Sequence, residues 1–274
     1  MRKRLKIGIV GCGAIGSSLA KAVAEDFKKD SELVALFDID SKKAKDLSGA
    51  VSKSGNLSVS DTSSLISKSE LVIEAASAKV SWDIAKKALS GGRSVMIMSV
   101  GGVISHLKDM TALARKSNAK VYIPSGAISG IDALKAAKIK KVKSVILTTR
   151  KHPMSFKGVE YLKKKKIDLE RIKKDKVLFF GKAKDAVKYF PQNINVAAVL
   201  SLAGVGQDKT FVRIIASLSA KRNIHEVSIE SEAANISTRT ENTLHPDNPK
   251  TSFLAVLSAI AVLKRILEPV KVGS

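Results

Sequence analysis

The chain has 274 residues, 45% of them hydrophobic, which is enough for one large domain or two moderate ones. Its single cysteine, Cys12, excludes an intrachain disulfide and a cysteine-based metal site, and its longest apolar stretch, residues 253–263, is too short to span a bilayer. These features predict a soluble cytoplasmic protein that needs no metal.

The charge of the chain is strongly positive. Lysine and arginine number 48 against 25 acidic residues, a formal net charge of +23. Such a balance suits nucleic acid or another anionic surface, but only 4% of the residues are aromatic and no nucleic-acid-binding motif occurs. We therefore expect a solvated lysine-rich surface, no nucleic-acid or membrane partner, and a field that attracts anionic substrates and cofactors.

The first elements form a dinucleotide-binding pattern. An apolar run at residues 5–10 predicts a buried strand, three spaced glycines follow at once, and residues 17–28 predict a helix. A second apolar strand, residues 33–37, ends on Asp38, which lies 22 residues after Gly16. Strand, glycine turn, helix and acid in this order indicate a site for a nicotinamide or flavin dinucleotide.

Each residue of this pattern has a physical task. Gly11 permits the tight turn, Gly13 leaves room for the pyrophosphate, and Gly16 lets the helix approach the sheet. The helix N-terminus offers N–H groups to phosphates. Asp38 is placed to accept hydrogen bonds from the adenosine ribose and to repel a 2′-phosphate, so we expect NAD, with NADP also accepted. The candidate residues of the turn are Gly11, Gly13, Ala14, Ile15 and Gly16.

Strands and helices alternate from there to Pro124, which predicts a parallel sheet covered on both faces. Because ligands bind at the carboxyl ends of such strands, Ala76 and Ser77, at the end of a predicted strand, are further cofactor candidates. Helices are predicted over residues 41–47, 80–89 and 104–116, and strands over residues 71–76, 94–98 and 120–123.

After Pro124 the pattern becomes that of a mixed α+β domain. The last apolar helix, residues 252–267, is predicted to return to the first domain. The expected fold is thus a Rossmann-type domain, residues 1–124 completed by 248–274, and a substrate domain of mixed α+β type, residues 125–247. In the second domain, strands are predicted over residues 143–150, 176–181, 210–217 and 226–232, and helices over residues 129–137 and 194–202.

Several phrases of the second half are more specific than the glycine turn. In their order and spacing they resemble the L-aspartate dehydrogenase family, and the resemblance covers nearly the whole chain. The phrases lie at residues 123–132, 190–198, 223–225, 241–242 and 248–252.

The resemblance implies oxidation of L-aspartate to iminoaspartate with NAD or NADP, or the reverse amination of oxaloacetate with ammonia. It also implies a supply of iminoaspartate to NAD biosynthesis and a homodimeric assembly. By the same resemblance, His225 is the catalytic residue, and Ala127, Asn193 and Asn195 contact the nicotinamide.

The residues themselves leave alternatives open. Among four histidines, His225 fits proton transfer best, since it follows Asn223 beside a predicted strand, but a structural histidine is the alternative. Asn193 and Asn195 flank a helix start, where one of them is expected to be only a cap. Lys250, Thr251 and Ser252 precede a helix and offer donors to a dicarboxylate, although simple helix capping explains Thr251 and Ser252 equally well.

Two other classes of function compete with an aspartate dehydrogenase. One is a different two-domain NAD(P)-dependent oxidoreductase of the homoserine or dihydrodipicolinate type. The other is a non-catalytic dinucleotide sensor or basic nucleic-acid-binding protein, which only the net charge of +23 favours.

Overall fold

A computed structural model of the protein describes residues 3–52, 55–190, 194–246 and 248–273. The chain divides into two compact units. The first comprises Met1–Pro124 and Val256–Lys271, and the second comprises Ser125–Ala255 and Val272–Ser274. The predicted α/β class, with a parallel sheet followed by a mixed one, is confirmed.

The first unit is built on a parallel sheet of five strands in the order β2-β1-β3-β4-β5. The order in which strands are added reverses at β1, with β2 on one side and β3 on the other, so a crevice is expected outside the carboxyl ends of β1 and β3. The strands are β1 (Leu5–Val10), β2 (Ser31–Phe37), β3 (Leu71–Glu74), β4 (Ser94–Ile97) and β5 (Val121–Tyr122).

Helices follow these strands because apolar side chains recur at helical spacing between them. They are α1 (Ala14–Glu25), α2 (Ser41–Val51), α3 (Thr62–Lys68), α4 (Ala78–Ser90) and α5 (Leu107–Lys116). Helix α1 begins three residues before its predicted start. Helix α3 was not predicted, although Asp61, whose carboxylate accepts from the Ser64 N–H, marks its N-terminus.

The last helix, α10 (Phe253–Leu267), contributes to the core of the first unit. Ala259, Leu263 and Leu267 are buried in the same cluster as Leu19 of α1 and Ile7 of β1. The predicted return of this helix is therefore confirmed, and the chain enters the first unit again at Val256, later than the predicted residue 248.

The second unit contains a mixed sheet of five strands in the order β10-β9-β6-β8-β7. Only β6 and β8 pair in parallel; the other neighbours are antiparallel. A separate two-stranded sheet pairs β11 with β12. The strands are β6 (Val142–Lys151), β7 (Lys176–Lys182), β8 (Thr210–Ala216), β9 (Asn223–Ser231), β10 (Asn235–Asn242), β11 (Leu244–His245) and β12 (Asn248–Ser252).

One face of this sheet holds the second core. Val145 and Leu147 of β6 pair with Ile229 and Val227 of β9, and all four are buried. Helices pack on this face and bury their own apolar residues, such as Leu200, in the same cluster. The helices are α6 (Ile131–Ala137), α7 (Glu160–Lys164), α8 (Ala183–Tyr189) and α9 (Ile194–Ala203).

Within the described residues, none of the helices has the length and apolarity needed to cross a membrane. The same part of the chain brings no three histidine, cysteine, aspartate or glutamate side chains together as a metal site.

Candidate active site

The glycine turn after β1 is shaped by close backbone contacts. Gly11 has φ +96°, and a Cβ there would lie 2.5 Å from the Ala75 carbonyl oxygen. A Cβ at Gly16 would overlap the carbonyl oxygen of Gly11. At Gly13, by contrast, a Cβ would meet no atom within 4 Å. Gly11 and Gly16 are thus required by the protein itself, whereas Gly13 borders open space.

The open space at Gly13 lies at the N-terminus of α1, whose N-cap is Gly13. The first N–H groups of a helix lack intrahelical acceptors, and no acidic residue occupies the first turn of α1. Ala14 and Ile15 form that turn. This arrangement suits an anion that approaches the backbone closely, as the pyrophosphate of a dinucleotide does.

Asp38 is held beside the turn by two backbone groups. Its Oδ2 accepts from the Cys12 N–H at 2.7 Å, and its Oδ1 accepts from the Asp40 N–H at 2.9 Å. Each carboxylate oxygen retains a lone pair for a further donor, so a fixed Asp38 can still accept from ribose hydroxyls. Burial, and next the charge of Asp38, raise the pKa of the Cys12 thiol to about 12.

A cavity of about 450 Å³ opens at this edge of the parallel sheet. Gly11, Asp38, Ala76 and Ser77 all line it, so the structure brings four of the predicted cofactor residues together. Ile39, almost fully exposed, and Val80 add apolar surface. A cavity with few polar groups among apolar ones is typical of a cofactor site.

The sequence analysis did not identify Glu74, the last residue of β3, whose side chain accepts hydrogen bonds from the two turns that follow β3 and β4. The side chain is completely buried, and it accepts from the Ala76 N–H at 2.9 Å, the Ser99 hydroxyl at 2.9 Å and the Ser99 N–H at 3.0 Å. Burial raises the pKa of Glu74, while these hydrogen bonds oppose the rise. The carboxyl group thereby ties the turn after β3 to the turn after β4. An acid at the end of an apolar strand was the available signal.

In the second unit, His225 lies within β9, because that strand begins at Asn223, three residues before its predicted start. The ring is 4% exposed, and its Nδ1 lies 3.0 Å from the Thr149 hydroxyl oxygen of β6. Burial, and next the positive charge of Lys151, lower its pKa to about 3. In the free protein His225 is therefore neutral well below the ordinary histidine pKa of about 6.5.

A group of polar side chains surrounds His225 on the core face of the sheet. Thr149 and Thr240 stand opposite His225 on the two neighbouring strands. Residues opposite each other, or two apart along a strand, share a face. Since Val145, Leu147 and Thr149 follow in order along β6, the face changes from apolar to polar at this end. The members of this polar group are Thr149, Lys151, Asn223, His225, Thr240 and Asn242.

Ala127 is connected to this polar group. The Asn242 side-chain amide donates to the Ala127 carbonyl at 3.1 Å and to the Asn223 carbonyl at 3.3 Å. The Thr240 hydroxyl lies 3.1 Å from the Ala127 carbonyl oxygen and 3.3 Å from that of His225. Ala127 and His225 are thus joined through Thr240, which the sequence did not single out, while Asn242, from the phrase at residues 241–242, joins Ala127 to Asn223.

The remaining candidates are less closely connected. Asn193 lies outside the described residues, and Asn195 is exposed in the first turn of α9. Lys250 belongs to β12, but its side chain is outside the described part of the structure. Thr251 and Ser252 end β12 directly before α10, and no hydrogen bond among the described residues joins them to His225.

Comparison with known families divides the chain near residue 124, as the two units do, although the second match extends into α10 of the first unit. Residues 11–124 match the model described as "Homoserine dehydrogenase, NAD binding domain", and residues 132–266 match the one described as "Aspartate dehydrogenase, C-terminal". The first unit is therefore an NAD-binding domain, and its open glycine turn and tethered Asp38 fit a dinucleotide.

Curated relatives match over the whole length. The L-aspartate dehydrogenase of Methanosarcina barkeri is 44% identical over 272 residues, covering 98% of this chain and all of the relative. That of Methanocella arvoryzae is 42% identical, covering 98% of this chain and 99% of the relative. The chain belongs to the L-aspartate dehydrogenase family. The predicted family is confirmed.

Solved structures agree with this family assignment. The crystal structure of aspartate dehydrogenase from Thermotoga maritima shares 25% sequence identity with the chain, at a TM-score of 0.71, and covers 99% of this chain and 100% of that one. A homoserine dehydrogenase from Thiobacillus denitrificans, 12% identical at a TM-score of 0.65, covers 97% and 74% and shows the shared fold alone.

Proposed function

We propose that this chain is an NAD(P)-dependent L-aspartate dehydrogenase, which oxidises L-aspartate to iminoaspartate or aminates oxaloacetate with ammonia in reverse. The observation that carries the proposal is the polar group around His225, which lies in the part of the chain similar to the aspartate dehydrogenase C-terminal region. Membership of the family over 98% of the chain supports the substrate.

When bound, the nicotinamide supplies the hydride chemistry, so the protein must bind, orient and manage protons. In the first unit, the N-terminus of α1 would hold the pyrophosphate beside Gly13, and Asp38 would accept hydrogen bonds from the ribose hydroxyls. Ala76 and Ser77 line the same cavity. The proposed role of these residues is to bind and orient the cofactor, and they take no part in proton transfer.

In the second unit, His225 manages the proton. Thr149 holds Nδ1 at 3.0 Å, which orients the ring and leaves Nε2 to take a proton from the substrate amine or return it. Because His225 is neutral, it acts first as a base during aspartate oxidation. Ala127, Asn193 and Asn195 are proposed nicotinamide contacts, and Lys250, Thr251 and Ser252 proposed substrate contacts.

Three parts of the proposal rest on the family resemblance or on composition. We propose that iminoaspartate made here feeds NAD biosynthesis and that the enzyme is a homodimer, as the resemblance implies. We also propose a cytoplasmic location, which is supported by the single cysteine because cysteine-poor chains without disulfides suit a reducing compartment.

A single assay separates the candidate functions. NADH and NADPH consumption is followed with oxaloacetate plus ammonia, with dihydrodipicolinate and with aspartate semialdehyde. We expect turnover with oxaloacetate only when ammonia is present. Turnover with one of the other substrates alone would instead identify the second class of oxidoreductase, and no turnover with any would favour a non-catalytic protein.

Asp38 is expected to make the enzyme prefer NAD. Its fixed carboxylate repels a 2′-phosphate, although Lys42 and Lys43 nearby soften the bias. Asp38→Ser should shift the ratio of NADPH to NADH dissociation constants by about tenfold or more toward NADPH, about 1.4 kcal/mol. Fluorescence titration of both cofactors on both proteins measures the ratio. A wild-type protein that binds NADPH tenfold more tightly than NADH would contradict the role of Asp38.

A further inference from the structure

Lys151 is a cation on the same sheet face as His225. It ends β6, two residues beyond Thr149, and residues two apart on a strand share a face. Thr149 in turn stands opposite His225 and contacts its ring at 3.0 Å. The backbone of Lys151 is fixed by its pairing with Ala216 and by the Ser217 N–H, which donates to its carbonyl at 2.9 Å.

Arg150, the neighbouring cation on β6, forms ion pairs within the protein. Arg150 points to the opposite face, where it forms ion pairs with Asp175 at 2.8 Å and with Glu226 at 3.4 Å. Its charge is therefore compensated within the protein. Lys151 is half-buried, and its charge is felt by the imidazole of His225.

The half-buried ammonium group of Lys151 is partly removed from water in the free protein. Burial lowers the pKa of Lys151 to about 8, and its charge contributes to the lowered pKa of His225. An anion bound here would stabilise the charged lysine. The substrate of the proposed reaction is a dicarboxylate, which must be recognised by cationic or hydroxyl donors.

We infer that Lys151 binds a carboxylate of the substrate beside His225 and is the residue that makes the site specific for dicarboxylates. This inference rests on the proposed function and names a binding residue for it. The side chains of Thr149, Thr240 and Asn242 share the face as hydrogen-bonding groups but carry no charge.

A carboxylate bound to Lys151 would also change the pKa of His225. A carboxylate on Lys151 cancels the positive field at the imidazole and adds negative charge, and both raise the pKa of a histidine. Substrate binding thereby makes His225 a stronger base at the moment when a proton must be accepted. The ring is neutral in the free protein, and the bound carboxylate raises its affinity for a proton.

Three variants test the inference. Lys151→Met keeps the aliphatic stem and removes the charge, Lys151→Arg keeps a charge, and Lys143→Met removes an exposed cation from the opposite end of β6 as the matched control. Each is assayed for KM and kcat with oxaloacetate, for inhibition by succinate, and for the NADH dissociation constant. Succinate is the probe of binding because it carries two carboxylates and no reactive amine.

For Lys151→Met we expect a KM about 30-fold higher or more, loss of succinate inhibition and an unchanged NADH dissociation constant. Lys151→Arg should retain most of the succinate affinity, and Lys143→Met should equal the wild type. A Lys151→Met protein with KM and succinate inhibition within threefold of wild type overturns the inference, while wild-type turnover with oxaloacetate and ammonia leaves the proposed function intact.

A second measurement applies if Lys151→Met does not fold. In the wild type, succinate inhibition should weaken from pH 7 to pH 9.5 as Lys151 loses its proton, whereas Lys151→Arg should show a flat profile because arginine stays charged. In the free protein, His225 does not titrate in this range. Asp175, which accepts from Ser217, and exposed Lys176 lie at the same end and are unchanged between the two proteins. A flat wild-type profile overturns the inference.

Discussion

Replacing His225 with alanine is expected to lower kcat by about 10²–10⁴-fold, the usual scale of general acid–base catalysis. The NADH dissociation constant should change little, since the glycine turn and Asp38 belong to the other compact unit. His225→Asn should be equally poor because an amide forms hydrogen bonds but takes no proton. Steady-state kinetics and fluorescence titration of NADH measure the two quantities.

If His225 were instead only a structural residue, its replacement would lower the melting temperature and leave kcat nearly unchanged. Removing a buried ring that is bonded to Thr149 costs stability in either case, so melting temperature and kcat must be measured together. His245→Ala is the matched control, because His245 is equally buried in the same unit and packs against Phe253. We expect that control to lose stability and keep its turnover. A stable His225→Ala protein with more than a third of wild-type kcat would show that the wrong residue was chosen.

The pH dependence of stability also follows from the lowered pKa of His225. An unfolded histidine binds a proton below about pH 6.5, whereas folded His225 does so only near pH 3. The folded protein is therefore progressively destabilised as pH falls from 6.5 toward 3. We expect no His225 limb near pH 6.5 in kcat/KM, because kcat/KM reports the free enzyme, in which the ring is already neutral.

The first unit could be predicted well from the sequence because its signals are local. The glycine turn, the acid 22 residues after Gly16 and the apolar strands each reveal a short-range requirement. Gly11 and Gly16 are required by contacts with neighbouring backbone, so their spacing is dictated by the turn itself. The cavity beside Asp38 and Ala76 lies where the carboxyl ends of parallel strands must lie.

The site of the second unit depends on pairing between distant strands, which sequence patterns do not disclose. Thr149 and His225 are 76 residues apart in sequence and become neighbours only through the register of β6 and β9. All residues of strand β10 except Ile236 are polar, so the strand lacks the alternation of apolar and polar residues by which a strand is predicted. Thr240 and Lys151 were missed and Asn242 was noted only within its family phrase, although all three lie on the face that contains His225.

The other large effect is expected at Gly13, where valine should weaken NADH binding by about 100-fold or more, about 2.7 kcal/mol. The new side chain would enter the open space at the N-terminus of α1 and meet no protein atom within 4 Å of its Cβ, so the unit should remain folded. It would occupy the path by which the pyrophosphate reaches the backbone. Fluorescence titration of NADH and a melting curve measure the two effects.

Two further glycine variants make this result specific. Gly49, in α2, also borders open space, so Gly49→Val introduces the same side chain without collision and should leave NADH affinity unchanged. Gly16→Val should fail to fold correctly, since its Cβ overlaps the Gly11 carbonyl oxygen. An unchanged NADH affinity in folded Gly13→Val would refute the dinucleotide role of the turn. Loss of affinity at Gly13 alone, with its melting temperature retained, separates a residue kept open for the cofactor from glycines that the fold itself requires.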